Sequence, residues 1–368
     1  MKIAQVAPLY EAVPPMLYGG TERVVAHLTD ALVDLGHEVT LFSSAEARTR
    51  ARLVPVRDQA IRLDPSPLKS DLAAHMSMLA EVRRRADQFD IIHFHTDMLH
   101  FPFFEDRAER TVTTLHGRLD LKDLGGVYER WPRYPLVSIS NNQRQPLPWA
   151  NWSATVQHGM DADLYRFNAR PSGYLAFLGR IAPEKRPDRA IQIATRLGMP
   201  LRIAAKVDAA DTVYFETKIR PLLDNPLVEF VGEIGDAAKS DFLGQADAFL
   251  FPIDWPEPFG LVMIEAMACG TPVVAYRCGA APEVIEDGVT GYLVDDLDEA
   301  VAAVRKAIQL DRSAIRARFE LRFSATAMAH RYLDIYRELL ARTPYAAPDM
   351  PSLPPSLKIV PTPAVAVA

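Results

Sequence analysis

Short apolar runs alternate along most of the chain with stretches whose apolar residues recur every three or four positions. Residues 2–8 (KIAQVAP) form a run of strand type. From Thr21 onward Val24, Val25, Leu28, Ala31, Leu32 and Leu35 fall at helical spacing, with Thr21 a candidate N-cap and Gly36 a stop. EVTLFSS then reads as a second strand, followed by FDIIHFH (89–95), TVTTLHG (111–117), PLVSIS (135–140) and WSATVQHGM (152–160). Strands alternating with helical stretches predict a parallel sheet covered by helices on both faces.

After a polar joint at 165–173 the pattern begins again. YLAFLG reads as a strand and 187–198 as a helix with Asp188 near its start; LRIAAKV, VEFVGEI, AFLFPID and TPVVAYR supply four more strands. The expected fold is therefore α/β, with two doubly wound Rossmann-like domains facing a cleft. The expected boundaries are 1–165 for the first domain and 166–324 for the second. A last helix occupies 325–342, and a proline-rich tail at 343–368 is expected to be disordered or loosely packed.

Length agrees with this division, because 368 residues are long for one core and suit two domains. A net charge of −6 gives no electrostatic reason to expect nucleic acid as a partner. Arg83, Arg84 and Arg85 sit in a charge-mixed, helix-like stretch and read as a solvated face. Two cysteines, Cys269 and Cys278, cannot build a disulfide framework, so a reduced, cytoplasmic setting is expected. The N-terminal apolar run is too short for a signal peptide, and no run of about 18 apolar residues predicts a transmembrane helix. Peripheral contact with a membrane surface stays open.

The chemistry concentrates in EPFGLVMIEAMACGTPVV, residues 257–274. Glu257 falls in the loop past the buried strand AFLFPID, at the carboxyl end where ligands of such sheets bind. Pro258 suits a first helical turn, Gly260 lets backbone approach a ligand, and the helix then runs through Leu261 to Ala268, so the N–H groups of Phe259, Gly260 and Leu261 form a candidate anion site at its start. Glu265 lies about two turns beyond Glu257. A favourable place at the positive end of a helix dipole explains Glu257 but not Glu265. A nucleotide sugar accounts for both, since a diphosphate seeks N–H groups and cations while sugar hydroxyls seek carboxylate acceptors. The cations are at hand: Arg180 follows the strand YLAFLG and Lys185 lies in the same loop, whereas Arg186 beside Pro187 reads as structural. In the first domain Gly19 and Gly20 make a glycine-rich loop before a helix, without the Gly-x-Gly-x-x-Gly spacing of dinucleotide enzymes. His93 and His95 share a strand face, and with Asp97, His100 and His116 could suggest a metal site. No complete ligand set is visible, and hydrogen-bonded core histidines are expected instead. His116 ends a strand, is followed by glycine, and can reach the cleft to meet a sugar hydroxyl or shield positive charge at the anomeric carbon.

Taken together, GGTE (19–22), TLHG (114–117), FLGRIAPEKRPD (177–188), EPFGLVMIEAMACGTPVVA (257–275) and GAAPEVIEDGVTGYLV (279–294) resemble the family-4 retaining glycosyltransferases of GT-B fold. The resemblance runs to about residue 340. It implies that Glu257 contacts hydroxyls of the donor sugar and Glu265 the nucleotide ribose. Arg180 and Lys185 would neutralise the departing diphosphate, with the N–H groups of Phe259, Gly260 and Leu261 around it. Gly19 and Gly20 would sit near phosphate and acceptor, His116 near the transferred sugar, and Val231 and Gly232 would hold the base. The final helix would cross back to the first domain. The family uses no cofactor and generally no metal, the nucleotide-diphosphate sugar being a co-substrate; UDP-glucose leads GDP-mannose and ADP-glucose on family frequency. HFHTDMLHFP and LHGRLDL also resemble a bacterial branch for which glucosylation of a reduced pterin is suggested, but a small metabolite, a glycan and a lipid all stay open as acceptors. Tyr128, Arg130, Trp131 and Tyr134 read equally well as an acceptor wall and as surface packing. The competing functions are a nucleotide-sugar epimerase or sugar phosphorylase of the same fold, a nicotinamide oxidoreductase, which the missing glycine fingerprint disfavours, and a non-catalytic nucleotide-sugar binding protein.

Overall fold

The structure, a computed structural model, describes residues 1–16 and 19–342; the proline-rich tail lies outside the described residues. Two parallel sheets form. The first takes β1 (Lys2–Val6), β2 (Glu38–Ser44), β3 (Arg52–Arg57), β4 (Ile91–Phe94), β5 (Thr111–Thr114), β6 (Leu136–Ser138) and β7 (Trp152–Thr155) in the order β3-β2-β1-β4-β5-β6-β7. The second takes β8 (Tyr174–Arg180), β9 (Leu201–Lys206), β10 (Val228–Gly232), β11 (Ala246–Phe251), β12 (Val273–Tyr276) and β13 (Gly291–Val294) in the order β10-β9-β8-β11-β12-β13. Both sheets are doubly wound, as the sequence pattern predicts.

Two strands escape that pattern, and both are edges. β3, RLVPVR, carries Pro55 and has Arg52 and Arg57 at its ends, which a strand paired on one side tolerates. β13 contributes only four residues. Central strands are continuous apolar runs because helices bury both of their faces.

Strand order reverses between β1 and β4 in the first sheet and between β8 and β11 in the second. Loops leaving such neighbours diverge to opposite faces and open a crevice at the carboxyl ends. Residues just past β1, β4, β8 and β11 all line one cleft between the sheets: Pro8, His95, Lys185 and Ile253 among them.

The helix Ala325–Ala341 closes the first sheet and not the second. Its Met328, Tyr332 and Tyr336 pack with Ile3, Ile91 and Val137 and with Leu28 of the helix Gly20–Asp34. Ser324 caps it through Ala327 N, and the crossing is fixed where Met160 N donates to Phe323 O and Ala325 N to Met160 O, at 2.9 and 2.8 Å. A Cβ on Gly159 would lie 2.4 Å from Ser324 O, so the two segments meet backbone to backbone. Full burial of each large apolar side chain on this helix contributes about 1.5–3 kcal/mol, which anchors the crossover against the first domain.

Candidate functional site

The cleft between the sheets encloses about 710 Å³. Its floor on the second domain follows from β11, whose apolar run ends at Pro252 and releases the chain into the 252–260 loop. The helix begins at Leu261, as the sequence pattern predicts, and Gly260 at φ 85° provides its left-handed N-cap. That conformation disfavours a side chain, and a Cβ there would lie 2.8 Å from Met263 Cε. Pro258 instead offers its carbonyl to Ser140 Oγ of the first domain at 2.7 Å. With this start, Glu265 is the fifth residue of the helix, about one turn in.

Glu257 is held from three sides. Its Oε2 accepts from Trp255 Nε1 at 2.8 Å and pairs with Lys185 Nζ, which also stands 5.0 Å above the Trp255 ring. Its carbonyl accepts from Ala280 N at 2.9 Å. Gly279 is required beneath it: a Cβ would lie 2.3 Å from Glu257 N, and the backbone has φ 59°. Oε2 is therefore occupied by the protein, and Oε1 is the oxygen left to a ligand hydroxyl.

Glu265 is 2% exposed and receives Lys239 Nζ at 3.3 Å. Lys239 also faces Asp236 at 3.5 Å, and Asp236 pairs with Arg23 of the first domain. Burial works against the Arg23 charge, yet Glu265 and Asp236 together raise its pKa above the ordinary value. Tyr165 faces the same carboxylate; burial first, then the Glu265 charge, holds its phenol well above the usual range. Neither the Tyr165 hydroxyl nor Glu265 Oε2 has a hydrogen bond of ordinary geometry. A buried acceptor in that condition is suited to a ligand hydroxyl.

Arg180 is the last residue of β8, which runs one position further than the sequence pattern places the strand end. Its guanidinium meets Glu184 at 2.9 Å and Asp208 and Asp211 at 3.4 Å. Arg186 adopts φ 53° and pairs with Asp188 and Asp254, fixing the turn that delivers Lys185.

On the first domain His116 lines the cleft. Its Nε2 lies 2.9 Å from His95 Nδ1, and its ring stacks on His158 at 5.1 Å, which in turn meets the Phe259 ring edge-on at 4.9 Å. Burial drives the His116 pKa down to about 3, and holds His93, His95 and His158 well below the usual histidine range, so all four rings are neutral. His93 and His95 spend their ring nitrogens on Thr114, Tyr336, Gln5 and His116. Gly20 approaches the second domain closely enough that a Cβ would lie 3.3 Å from Leu261 Cδ1.

Ten of the twelve residues singled out from the sequence border this cleft: His116, Arg180, Lys185, Glu257, Gly19, Gly20, Phe259, Gly260, Leu261 and Glu265. Val231 and Gly232 are not among its lining. They end β10, the edge strand, where Gly232 turns at φ 82°. Tyr128 and Tyr134 are buried in the first domain's core, and Trp131 Nε1 donates to Glu105, so the packing reading of that loop holds. Trp255, Lys239, Arg23 and His158 were not legible as site residues. Trp255 alone carried a local signal, two positions before Glu257. Tyr10, Arg62 and Asp97 complete the cleft on the first domain, with Asp97 at φ 48°, a strained setting for a residue with a side chain.

Two family descriptions match the chain in succession: "Glycosyltransferase Family 4" over residues 18–173 and "Glycosyl transferases group 1" over residues 167–321. A glycogen synthase of Mycobacterium tuberculosis is 26% identical, over 88% of this chain and 93% of its own length. A phosphatidyl-myo-inositol mannosyltransferase of Mycolicibacterium smegmatis is 27% identical, over 90% of each chain. Among solved structures, AviGT4, a glycosyltransferase involved in avilamycin A biosynthesis, superposes with a TM-score of 0.71 at 25% identity, over 93% of this chain and 99% of that one.

Proposed function

The chain belongs to the family-4 glycosyltransferases of GT-B fold, and from that premise we propose that it moves a hexose, with retention and without a metal, from a nucleoside-diphosphate sugar to an acceptor hydroxyl. The observation that carries this reading is the pairing, across one helix start, of two carboxylates and two cations of complementary use. Glu265, buried with an unsatisfied oxygen, suits the ribose hydroxyls; Glu257, with Oε2 already engaged by Trp255 and Lys185, offers Oε1 to the sugar. Arg180, at the end of β8, and Lys185, in the loop after it, line the same cleft as Phe259, Gly260 and Leu261.

In the reaction, the bond from the anomeric carbon to the diphosphate oxygen breaks and the nucleoside diphosphate leaves with the electron pair. Lys185, Arg180 and the helix start oppose the growing charge. The acceptor oxygen bonds the anomeric carbon on the same face, and its proton passes to the departing diphosphate oxygen. His116 is neutral and has no proton to give as an imidazolium. Val231 and Gly232, at the end of β10, are assigned to the base. UDP-glucose is the favoured donor. The acceptor is a hydroxyl compound approaching Tyr10, Arg62 and Asp97: a small metabolite such as a reduced pterin, a glycan, or a lipid presented at a membrane surface. The relatives' names span a polymer synthase and a phosphatidyl-inositol mannosyltransferase, so they do not narrow that choice. We place the reaction in the cytoplasm, where both cysteines, free in the structure, stay reduced.

Proton NMR of the sugar released from UDP-glucose, GDP-mannose or ADP-glucose in the presence of EDTA tests this. The α-anomer as first product from one donor is expected. A β-anomer, a strict demand for added metal, or conversion of the donor to an epimeric sugar nucleotide would overturn it.

A further inference from the structure

Beneath the cleft runs a hydrogen-bonded chain that the reaction does not itself require. Tyr332, on the crossover helix, meets Thr114 Oγ1 at 2.8 Å, and Thr114 meets His93 Nε2 at 2.7 Å. His93 Nδ1 faces the Tyr336 hydroxyl at 2.7 Å, and that hydroxyl accepts from the Gln5 amide nitrogen at 3.2 Å. The Gln5 amide oxygen then lies 2.8 Å from His95 Nε2, and His95 Nδ1 lies 2.9 Å from His116 Nε2. Gln5, His93, Tyr332 and Tyr336 are fully buried, so water does not interrupt the sequence.

We infer that Gln5 and His95 are positioning residues that hold His116 as the Nε2–H tautomer and leave its Nδ1 a bare acceptor for a hydroxyl of the bound sugar. A carbonyl oxygen can only accept, so His95 Nε2 carries the proton that Gln5 receives. A neutral His95 then presents a lone pair at Nδ1, and His116 must donate to it from Nε2. Nδ1 of His116 is what remains, and it has no partner in the protein. The inference rests on the glycosyl-transfer reading for the identity of the hydroxyl, though not for the tautomer.

Turning the Gln5 amide over would reverse every step and put His93, His95 and His116 in the Nδ1–H form. Two considerations favour the first arrangement. The Nε2–H form is the intrinsically commoner tautomer of neutral histidine, and the first arrangement gives it to all three rings. The reverse arrangement would also strand an N–H at His116 Nδ1 in a buried setting, and orphaned donors are rarer than under-used acceptors. The chain also ties the site to the crossover helix, since Tyr336 helps to orient the amide that sets the tautomer.

Long-range proton–nitrogen correlation spectra of histidine-labelled enzyme, without ligand, read the tautomer directly. The expected spectrum shows His116 protonated at Nε2 and unprotonated at Nδ1 at neutral pH. Protonation at Nδ1, or an imidazolium, overturns the inference whatever the enzyme's activity. In Gln5→Leu the His116 signal should shift toward the Nδ1–H form and kcat/KM for the donor fall about tenfold, the scale of one hydrogen bond in a dry site, while UDP affinity stays unchanged. Gln5→Glu, which keeps the acceptor, should restore both the spectrum and the rate. An altered tautomer with unaltered kinetics would refute the role assigned to Nδ1. If the wild type transfers no sugar, the glycosyl-transfer reading fails, and the spectrum still decides the tautomer.

Discussion

Replacing Lys185 by alanine separates the two duties the structure gives this side chain. In the ligand-free protein Lys185 neutralises Glu257, with both side chains under a fifth exposed. With donor bound, it would oppose the charge appearing on the departing diphosphate. A unit charge developing about 4 Å from the ammonium, at an effective dielectric constant of about 20, gains about 4 kcal/mol. The transition state carries only part of that charge, and the diphosphate is already anionic in the ground state, so the differential effect is about 2–3 kcal/mol. That corresponds to a fall in kcat of about 30- to 150-fold, with donor KM changed much less. Loss of the pair also leaves Glu257 with Trp255 as its side-chain partner, costing about 1–3 kcal/mol of stability and several degrees in Tm. Steady-state kinetics with the preferred donor, alongside differential scanning calorimetry, reads both quantities. Lys185→Arg should regain most of the rate. A Lys185→Ala enzyme with a lowered Tm and a kcat within twofold of wild type would refute the reasoning, showing that Lys185 merely holds Glu257.

Trp255→Phe keeps the ring under Lys185 but deletes the N–H to Glu257 Oε2; a three- to tenfold loss in kcat/KM for the donor is expected, and unchanged kinetics would remove Trp255 from the site. The buried histidines make stability depend on acid. His116, at about 3, and His27, at about 4, have folded pKa values depressed by burial below the unfolded value near 6.5, and His93, His95, His100 and His158 are lowered in the same sense. Below about pH 6.5 the unfolded chain binds protons that the folded one refuses, so stability is complete above that value and drains as pH falls toward 4. Each such histidine contributes about 1.4 kcal/mol per pH unit, and Tm measured from pH 7.5 to 5 should fall steeply below 6; a flat profile would contradict their buried, neutral state. Arg180→Ala should lower kcat more than it weakens donor binding, and an unchanged rate would withdraw its role at the diphosphate.

The sequence disclosed the architecture because buried parallel strands announce themselves as apolar runs between helical spacings. It lost β3, where Pro55 and arginines at both ends disguise an edge, and β13, which opens on Gly291 and leaves Tyr292 and Leu293 only half-buried. Glu257, Lys185 and Arg180 were legible because each lies at or just past the end of an element whose position the pattern fixes, and Glu265 because a carboxylate inside an apolar helix has no other evident use. Lys239, Arg23 and His158 were not, since they reach the cleft through pairings between segments far apart in sequence, such as Arg23 with Asp236. The helix from Leu261 to Ala268 was legible from its apolar run and the Gly270 stop; the left-handed conformation of Gly260 at its N-cap was not. The histidines were expected as core residues, but their order as a chain from Tyr332 to His116 exists only in three dimensions.

Calorimetric titration with UDP, GDP and ADP in the presence of a chelator tests the central claim most directly. One nucleoside diphosphate should bind tightly to the wild type and lose tenfold or more in affinity with Glu265→Ala, as expected when a buried carboxylate loses its hydrogen bonds to ribose. Binding that survives Glu265→Ala undiminished, or no binding of any nucleoside diphosphate, would contradict the assignment of the two glutamates on which the account stands.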